Sequence, residues 1–529
     1  MFDLVVGGGW LLDGTGAPAY RADVAVAGGR IAAVGRLDQA VAAARIDATG
    51  RYVAPGFVDA HVHGDAAVLD PAVQLAALRQ GVTTFLLGQD GLSYAPATPA
   101  ARAYVTRYFE AVNGPHPALP DGPVGVADLL ATYDRTTALN TAYLVPHGTV
   151  RYCVLGGAGR PSTAEERAAM VRLVEQGLDQ GAAGLSSGLE YLPGRHADAA
   201  ELAAVCAPVA ARGLPYVTHM RGYENAAAAG MAEATAVARA AGVAAHVSHY
   251  HGPGPALAGL VDDARAAGLD VTFDSYPYRR GCSILAMIGV PAELQHGDLD
   301  RTVEALGDPA VRRRMREGRD PGLWHRITLS YVPAAELAWA EGMRLADAAA
   351  SVGLAPADFC AELLVGTRLA AGAVFEFPPL GGDAAGGDAA GEDAAGEDSV
   401  GLLLRHPAHM GGSDGIYRGG HPHPRGWGAF ARLLGRHVRE RGDWTWEQAA
   451  VHLAAHPARR FGLADRGLIR PGLAADLVVF DPATVIDRAG YDAPRELATG
   501  VDDVVVNGVP VLAGGQLTGA RPGTPLRPR

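Results

Sequence analysis

Eight short apolar segments separated by alanine-rich stretches constrain the fold of this chain more than any other feature. The predicted strands are 52–59, 83–87, 141–145, 183–186, 216–218, 244–248, 270–274 and 408–412. Alanine-rich stretches such as 199–212 and 225–241 predict crossover helices, and this alternation is typical of a parallel α/β domain. A chain of 529 residues with eight such strands fits a (β/α)8 TIM barrel with an accessory domain.

Side chains that can bind metals or exchange protons follow nearly every predicted strand. In chain order they are His61 and His63, Asp90, His147, Ser186 and Ser187, His219, His249 and His251, Asp274 with Tyr276 and Tyr278, and Asp414. Barrel enzymes hold their active sites at the C-terminal ends of the strands. Each residue alone is compatible with an ordinary loop position, but their shared placement predicts one functional site.

His61 and His63 are two residues apart, which on a strand places both imidazoles on the same face. Two converging imidazoles suit a divalent transition metal, most often zinc. Two ligands do not make a site, so this pair alone is as compatible with ordinary polar residues at a strand–loop junction as with a metal site.

Both ends of the chain contain short strands with glycine-rich turns. Segments 2–6, 23–27 and 30–34 lie near the N-terminus, and segments 475–481 and 502–512 lie near the C-terminus, with an Asn-Gly turn at 507–508. We therefore expect residues 1–54 and 466–529 to build one β-sandwich beside a barrel formed by residues 55–465.

A long insertion, 279–405, separates the seventh and eighth predicted strands. It contains a five-residue repeat at 381–398 with six acidic residues, no basic residue and no large apolar group. Such a segment cannot bury a core, so we expect it to be disordered or a mobile loop. An inert expansion of a repetitive gene segment explains it better than a functional acidic tether does.

Composition excludes several classes of protein and mechanism. A net charge of -12 argues against a nucleic-acid surface, and the four cysteines form no close pair that would indicate disulfides or a zinc finger. No signal peptide or membrane-spanning segment is recognisable, so we expect a soluble cytoplasmic protein without membrane partners. All 45 basic residues are arginine, which excludes a lysine Schiff base and a carboxylated lysine between two metals.

An ordered set of motifs runs along essentially the whole chain. They are Ala54-Pro-Gly-Phe-Val-Asp-Ala-His-Val-His63, Gln80-Gly-Val-Thr-Thr84, His147-Gly-Thr-Val-Arg151, Gly184-Leu-Ser-Ser-Gly-Leu-Glu-Tyr191, Thr218-His-Met-Arg221, Ser248-His249, Asp274-Ser-Tyr-Pro-Tyr278, Gly412-Ser-Asp-Gly415 and His423-Pro-Arg425. With these motifs the chain resembles the amidohydrolase superfamily, and specifically the N-acyl-D-amino-acid deacylase (D-aminoacylase) family. The His-x-His motif alone is weak, but the ordered set is specific.

The resemblance implies a zinc enzyme that holds one or two ions. His219 and His249 match the histidine ligands of the tightly bound zinc, and His61 and His63 match the neighbouring metal position. Other divalent metals also suit a site rich in carboxylates. The implied reaction is hydrolysis of a small N-acyl-D-amino acid to a carboxylate and a free D-amino acid.

The same resemblance implies the residues that handle the substrate. Asp414 matches the catalytic aspartate, which would take a proton from water and deliver it to the leaving amine. Arg425 matches the arginine that grips the substrate's α-carboxylate, and this two-pronged contact would select D over L. Tyr191 and either Tyr276 or Tyr278 match tyrosines that bind the substrate or polarise its carbonyl.

Two positions depart from the family pattern. Asp90 stands where the family has a cysteine that bridges the metals, and a carboxylate can also ligate zinc. In the alternative interpretation, Asp90 only forms hydrogen bonds in a one-metal site. His251 stands where the family often has a lysine near the substrate, so the substrate preference is open.

Two other functions remain as alternatives. The first is a hydrolase of cyclic amides or ureides, of the hydantoinase or dihydroorotase type. Those families usually need the carboxylated lysine that this chain cannot make. The second is a non-catalytic scaffold, which we would expect to have lost the metal ligands that are present here.

Overall fold

Parallel strands form the centre of the molecule in a computed structural model that describes residues 1–318, 320–378 and 389–529. They make one sheet of three strands and one of six. In spatial order the strands are Asn140–Tyr143, Val82–Leu87 and Phe57–Asp59 in the first sheet, and Val145–Pro146, Leu185–Gly188, Pro215–His219, Ala244–Val247, Val271–Ser275 and His409–Gly411 in the second. Each of the eight predicted segments overlaps this series, although 141–145 spans two of the nine strands and only the end of 52–59 belongs to it.

Backbone hydrogen bonds connect the two parallel sheets at both ends of the series. Asn140–Tyr143 leads through Leu144 into Val145–Pro146, and the Leu144 amide donates to the Leu87 carbonyl at 3.0 Å. At the other end the Ala60 amide donates to the Gly411 carbonyl at 3.1 Å.

Helices connect the parallel strands. Their bounds are Pro71–Leu78, Pro99–Tyr108, Val126–Tyr133, His147–Leu155, Ala164–Asp179, Ala199–Ala211, Ala227–Ala241, Gly254–Ala266, Arg425–Arg432, Trp446–Ala450 and His456–Arg460, with π-helical turns at Leu433–Glu440 and Val451–Ala455. The two predicted alanine-rich helices are among them. Their ends follow local chemistry, since Asp198 caps Ala199–Ala211 and a Thr163–Glu166 capping box begins Ala164–Asp179.

Both chain ends build two further sheets that share a hydrophobic core. One sheet contains Arg30–Gly35, Asp23–Ala27, Phe2–Gly7 and Ala42–Asp47, and the other contains Gln516–Leu517, Val509–Ala513, Val501–Val506, Leu477–Phe480, Tyr52–Pro55, Trp10–Leu11 and Tyr20–Arg21. Buried Leu4, Val26, Val53 and Val479 belong to their common core. The predicted Asn507-Gly508 turn lies between two paired strands, with Val506 opposite Val509.

The prediction of one continuous strand over 52–59 is wrong. Tyr52–Pro55 pairs with Leu477–Phe480 in an end sheet, whereas Phe57–Asp59 belongs to the central strands. The chain passes from one sheet to the other at Gly56, whose amide donates to the Asp476 carbonyl at 2.8 Å. A Cβ atom at Gly56 would lie 2.2 Å from the Thr83 hydroxyl oxygen, so the close passage requires glycine.

The insertion 279–405 contains its own antiparallel sheet, and it packs in a hydrophobic core that also includes Leu92, Tyr108 and Tyr191. The sheet orders its strands as Arg280–Ile284, Gly372–Glu376 and Ile327–Tyr331. The associated helices are Leu285–Gly289, Leu299–Leu306, Pro309–Glu317, Leu345–Ser351, Pro356–Gly366 and Ala389–Leu404. Of all described helices, none is by itself long and apolar enough to cross a bilayer, although Leu345–Ser351 and Pro356–Gly366, bent by 92°, pass that test together.

The expected disorder of the acidic repeat is wrong for its C-terminal part. Residues 389–398 belong to the helix Ala389–Leu404, whereas residues 381–388 lie outside the described residues. Arginines from the neighbouring helices explain the order, because Arg432 donates to Glu397 at 3.1 Å and Arg441 donates to Asp398 at 2.8 Å. The repeat lacks basic residues of its own, but arginines distant in sequence pair with Glu397 and Asp398.

Candidate metal centre and active site

Four histidines and two aspartates converge where the parallel strands end. His219 is the last residue of Pro215–His219, and His249 follows Ala244–Val247 by two residues. His61 lies beyond the end of Phe57–Asp59, so it is not on one strand with His63 as predicted. Val62–His63 instead pairs with Gly415–Ile416, which brings Asp414 beside the histidines.

Strained backbone positions these groups. Asp90, His249 and Asp414 adopt φ values of 54°, 35° and 50°, and Glu224, also on the cavity wall, has a φ of 52°. Residues other than glycine rarely adopt this left-handed region, and it concentrates at functional sites. The site therefore combines strand ends with tight local turns.

Asp90 lies at the centre of the cluster. Its Oδ1 is 3.5 Å from Nε2 of His61. Its Oδ2 is 3.4 Å from Nδ1 of His219, 3.5 Å from Nε2 of His63 and 3.7 Å from Nε2 of His249. Burial opposes ionisation of Asp90, but His61 and His219 outweigh it and hold its pKa well below the ordinary range. One carboxylate thus contacts all four imidazoles.

Glu190 and Asp274 contact histidines of the cluster, and His246 contacts Asp274. Of these three, only Asp274 was predicted to belong to the functional site. The His219 Nε2 faces Oε2 of Glu190 at 2.9 Å, which leaves Nδ1 directed at Asp90. Asp274 lies 3.4 Å from Nδ1 of His61 and 3.0 Å from Nε2 of His246, and all three side chains are buried. A partner on the second ring nitrogen fixes the orientation of a metal-binding histidine. Asp274 and Glu190 belong to the motifs that carry the family resemblance, whereas nothing in the sequence indicates a role for His246.

Asp414 forms a buried ion pair with Arg425. Arg425 Nη1 is 2.8 Å from Oδ2 of Asp414, and Nε2 of His63 is 3.2 Å from Oδ1. Burial raises the pKa of Asp414, but Arg425 and His63 outweigh that effect and hold it below its ordinary range. Arg425 is fully buried and does not line the cavity; its guanidinium stacks on Tyr276 at 4.5 Å and donates to the Cys282 carbonyl.

The other predicted substrate residues divide between the cavity and its surroundings. Tyr191 and Tyr276 line the cavity, and the Tyr191 hydroxyl is 2.7 Å from the Ser283 hydroxyl. Tyr278 lies behind the cavity wall, where its hydroxyl donates to Asp487 at 3.4 Å. The sequence motif alone did not separate the two tyrosines of Asp274-Ser-Tyr-Pro-Tyr278.

His251 lines the cavity as a neutral ring. It stacks between Tyr223 and Phe377, with ring centroids 4.9 and 4.0 Å away. Burial lowers its pKa to about 3, and its Nδ1 is 2.7 Å from the His249 carbonyl. His251 therefore supplies no positive charge at the position where the family often has a lysine.

A cavity of about 460 Å³ covers the cluster, a size suited to a small molecule. Its walls combine strand-end residues with residues of the insertion. The cluster residues on its surface are His63, Asp90, His219, His249 and Asp414. Apolar residues of the insertion on its surface include Met287, Ile288, Leu323 and Phe375.

Comparison with known proteins relates this geometry to a family. The sequence model of the amidohydrolase family matches residues 44–512. The N-acyl-D-glutamate deacylase of Alcaligenes xylosoxydans xylosoxydans is 36% identical over 96% of this chain and 93% of the relative. The D-aminoacylase of the same organism is 35% identical over 99% of this chain and 97% of the relative.

Among solved structures, the N-acyl-D-glutamate deacylase of Bordetella bronchiseptica matches over 99% of both chains, at 34% identity and a TM-score of 0.81. That crystal structure contains zinc and a phosphonate inhibitor that mimics the tetrahedral intermediate. The likeness covers the central strands and the end sheets, so the chain has a barrel domain and a second domain. The chain therefore belongs to the amidohydrolase family and, within it, to the N-acyl-D-amino-acid deacylases.

Proposed function

We propose that this protein uses a divalent metal, zinc in the first instance, to hydrolyse the amide bond of N-acyl-D-amino acids. The products are a carboxylate and a free D-amino acid. The observation that carries the proposal is the buried cluster of four imidazoles and two carboxylates beneath a cavity of small-molecule size. The deacylase relatives support the amide as the bond that is cleaved.

The residues present fit a metal. Nε2 of His61 and Oδ1 of Asp90 are buried without a hydrogen-bond partner in the described part of the chain. Nδ1 of His219 and Nε2 of His249 approach within 3.0 Å of each other, as two donors directed at one point do. Such orphaned nitrogen and oxygen donors suit zinc and also manganese, cobalt or iron.

Asp90, His219 and His249 would hold one ion, and His61 with His63 would hold a second ion that shares Asp90. Asp90 is the bridging candidate because its carboxylate lies within 3.7 Å of all four imidazoles, with Oδ1 nearest His61 and Oδ2 nearest the other three. When bound, the metal supplies activated water and polarises the carbonyl of the amide. Whether one or two ions are needed stays a prediction to be tested.

Asp414 would act as the proton carrier. Its carboxylate borders the cavity, and Arg425 and His63 keep it ionised, so it can accept a proton from water. Returning that proton to the leaving nitrogen lets one group serve first as base and then as acid. The Arg425 contact orients the carboxylate for both steps.

Substrate binding would involve Tyr191 and Tyr276 on the cavity wall, together with His251. The predicted contact between Arg425 and the substrate's α-carboxylate stays a prediction. Nη1 of Arg425 is taken by Asp414 at 2.8 Å, but Nε is buried without a hydrogen bond within the described residues, which supports a further acceptor near the guanidinium. Tyr278 would act only indirectly, from behind the wall.

We also propose that the eight parallel strands close into a (β/α)8 barrel over residues 55–465, with the insertion 279–405. Residues 1–54 and 466–529 would form a β-sandwich. The hydrogen bond between Ala60 and Gly411 and the common core of the end sheets support these assignments. The cytoplasmic location stays a prediction.

The test is hydrolysis of N-acetyl-D-amino acids by the zinc-loaded protein, with the L-enantiomers and a hydantoin as controls. We expect turnover only on the D side, and we expect Asp414→Asn to lower kcat by about 10²–10⁴-fold. Turnover of the hydantoin alone would favour the cyclic-amide alternative. Near-full activity of Asp414→Asn would refute the role of Asp414.

A further inference from the structure

Two guanidinium groups line the cavity, and they differ in their partners. Arg326 pairs with Asp320, with 3.0 Å between Nη2 and Oδ2. The side chain of Arg195 forms no hydrogen bond and no ion pair with any residue in 1–318, 320–378 or 389–529. Arg195 is half-buried, so its charge has lost part of its water without gaining a hydrogen bond or ion pair among the described residues.

The segment that carries Arg195 is rigid. The Arg195 amide donates to the Tyr191 carbonyl at 2.8 Å, one turn earlier in the chain. Arg221 holds the same segment by donating to the carbonyls of Arg195 and Ala197, and it pairs with Glu233 at 3.2 Å. A side chain presented by a fixed backbone is suited to recognition.

The carboxylates on the cavity wall are engaged elsewhere. Glu190 contacts His219 at 2.9 Å, and Glu376 lies 2.8 Å from Arg280. Burial raises the pKa of Glu224 to about 7, which removes part of its charge at neutral pH. Asp90 and Asp414 belong to the metal cluster. Glu190 attracts the Arg195 charge, but within the described residues no acidic side chain of the wall forms an ion pair with Arg195.

We propose that Arg195 binds an acidic side chain of the substrate, so that the preferred substrates are N-acyl derivatives of D-glutamate or D-aspartate. This inference rests on the proposed function and names its substrate class. Guanidinium and carboxylate match in a bidentate geometry, and the walls of the cavity exclude part of the competing water. The substrate would then carry two carboxylates, the α-carboxylate and one that Arg195 reads.

The experiment compares substrates that differ only in this charge. Zinc-loaded wild type, Arg195→Met and Arg195→Lys are assayed on N-acetyl-D-glutamate against N-acetyl-D-glutamine, and on N-acetyl-D-aspartate against N-acetyl-D-asparagine. We expect the wild type to prefer the acids. We expect Arg195→Met to lower kcat/KM on the acids about 10- to 100-fold, mainly through KM, and to change the amides less than threefold. Arg195→Lys should recover part of the loss.

Arg239→Met, on the exposed face of the helix Ala227–Ala241, serves as the matched control, and thermal unfolding shows whether each variant is folded. An equal loss on acid and amide substrates would overturn the proposal, because Arg195 would then act on the part that both share. Wild-type preference for neutral side chains would overturn it while leaving the proposed function intact. Absence of turnover on every N-acetyl-D-amino acid would instead refute the proposed function, and this inference with it.

Discussion

Glu201 offers the clearest test of how the fold supports the site. Its Oε1 is 2.8 Å from Nε2 of His147 and its Oε2 is 2.7 Å from Nη1 of Arg151, and all three side chains are fully buried. Burial works against the charge of Glu201, but His147 and Arg151 outweigh it and lower its pKa from 4.5 to about 2. At about 1.4 kcal/mol for each pKa unit, this corresponds to about 3 kcal/mol of stability.

We therefore expect Glu201→Gln to lower the free energy of unfolding by about 3–5 kcal/mol at pH 7, since it leaves the Arg151 charge buried without its partner. Urea denaturation followed by tryptophan fluorescence measures this. Glu175→Gln, on the exposed face of the helix Ala164–Asp179, is the matched control and should change stability by less than about 0.5 kcal/mol.

The pH dependence of stability tests whether the charge of Glu201 causes this stabilisation. Because the pKa of Glu201 is lowered in the folded state, its contribution is complete above pH 4.5 and is lost as the pH falls towards about 2. The stability gap between wild type and Glu201→Gln should be full at pH 7 and should shrink below pH 4.5. A gap that is absent at pH 7, or that stays constant down to pH 3, would refute this account.

The same substitution should affect substrate binding. Arg151 also donates through Nε to the Pro193 carbonyl at 3.1 Å, and Pro193 lies in sequence between Tyr191 and Arg195, which both line the cavity. We expect Glu201→Gln to raise KM more than it lowers kcat, because the loop that binds substrate loses its anchor while Asp414 is untouched. Steady-state kinetics on the best N-acetyl-D-amino acid measures the split.

Three further predictions concern the metal and the insertion. Asp90→Asn should lose bound zinc during dialysis, whereas Asp90→Cys should retain it because thiolate is a good zinc ligand. Metal analysis of the dialysed proteins measures the zinc content. Equal zinc in Asp90→Asn and wild type would contradict ligation by Asp90. Glu190→Gln should weaken zinc binding about 10- to 100-fold in competition with a chelating indicator, because His219 loses the partner of its Nε2. Glu397→Gln should lower stability by about 1 kcal/mol in urea denaturation, since Glu397 contacts Arg432 and Arg436; an unchanged midpoint would show that these arginines do not order the helix.

The central strands and the metal cluster were predictable because their signals are local. Apolar strands, alanine-rich helices and polar residues at strand ends are each visible within a short window of sequence. The positions of His219 and His249 follow from strand ends alone. Asp90 could be singled out because it replaces a cysteine in an otherwise matching motif.

The remaining features depend on contacts between distant parts of the chain. Arg280–Ile284 pairs with Gly372–Glu376 across most of the insertion, and no local pattern specifies such a pairing. The helix Ala389–Leu404 was missed for the same reason, since Glu397 and Asp398 pair with Arg432 and Arg441 from a distant part of the chain. His246 acts only through Asp274, so its sequence position gives no sign of a role.

The cavity joins the strand ends to the insertion. Met287 and Phe375 of the insertion lie on its wall, and the hydrophobic core against which they pack also includes Phe109 and Tyr191 from outside the insertion. Tyr191 links the two parts a second time through the hydrogen bond between its hydroxyl and Ser283. Phe109 and Tyr191 in turn pack against the rings of His63 and His219. We therefore expect substitutions at Met287 or Phe375 to change the substrate preference, whereas substitutions at Phe109 or Tyr191 should also disturb the histidines at the strand ends.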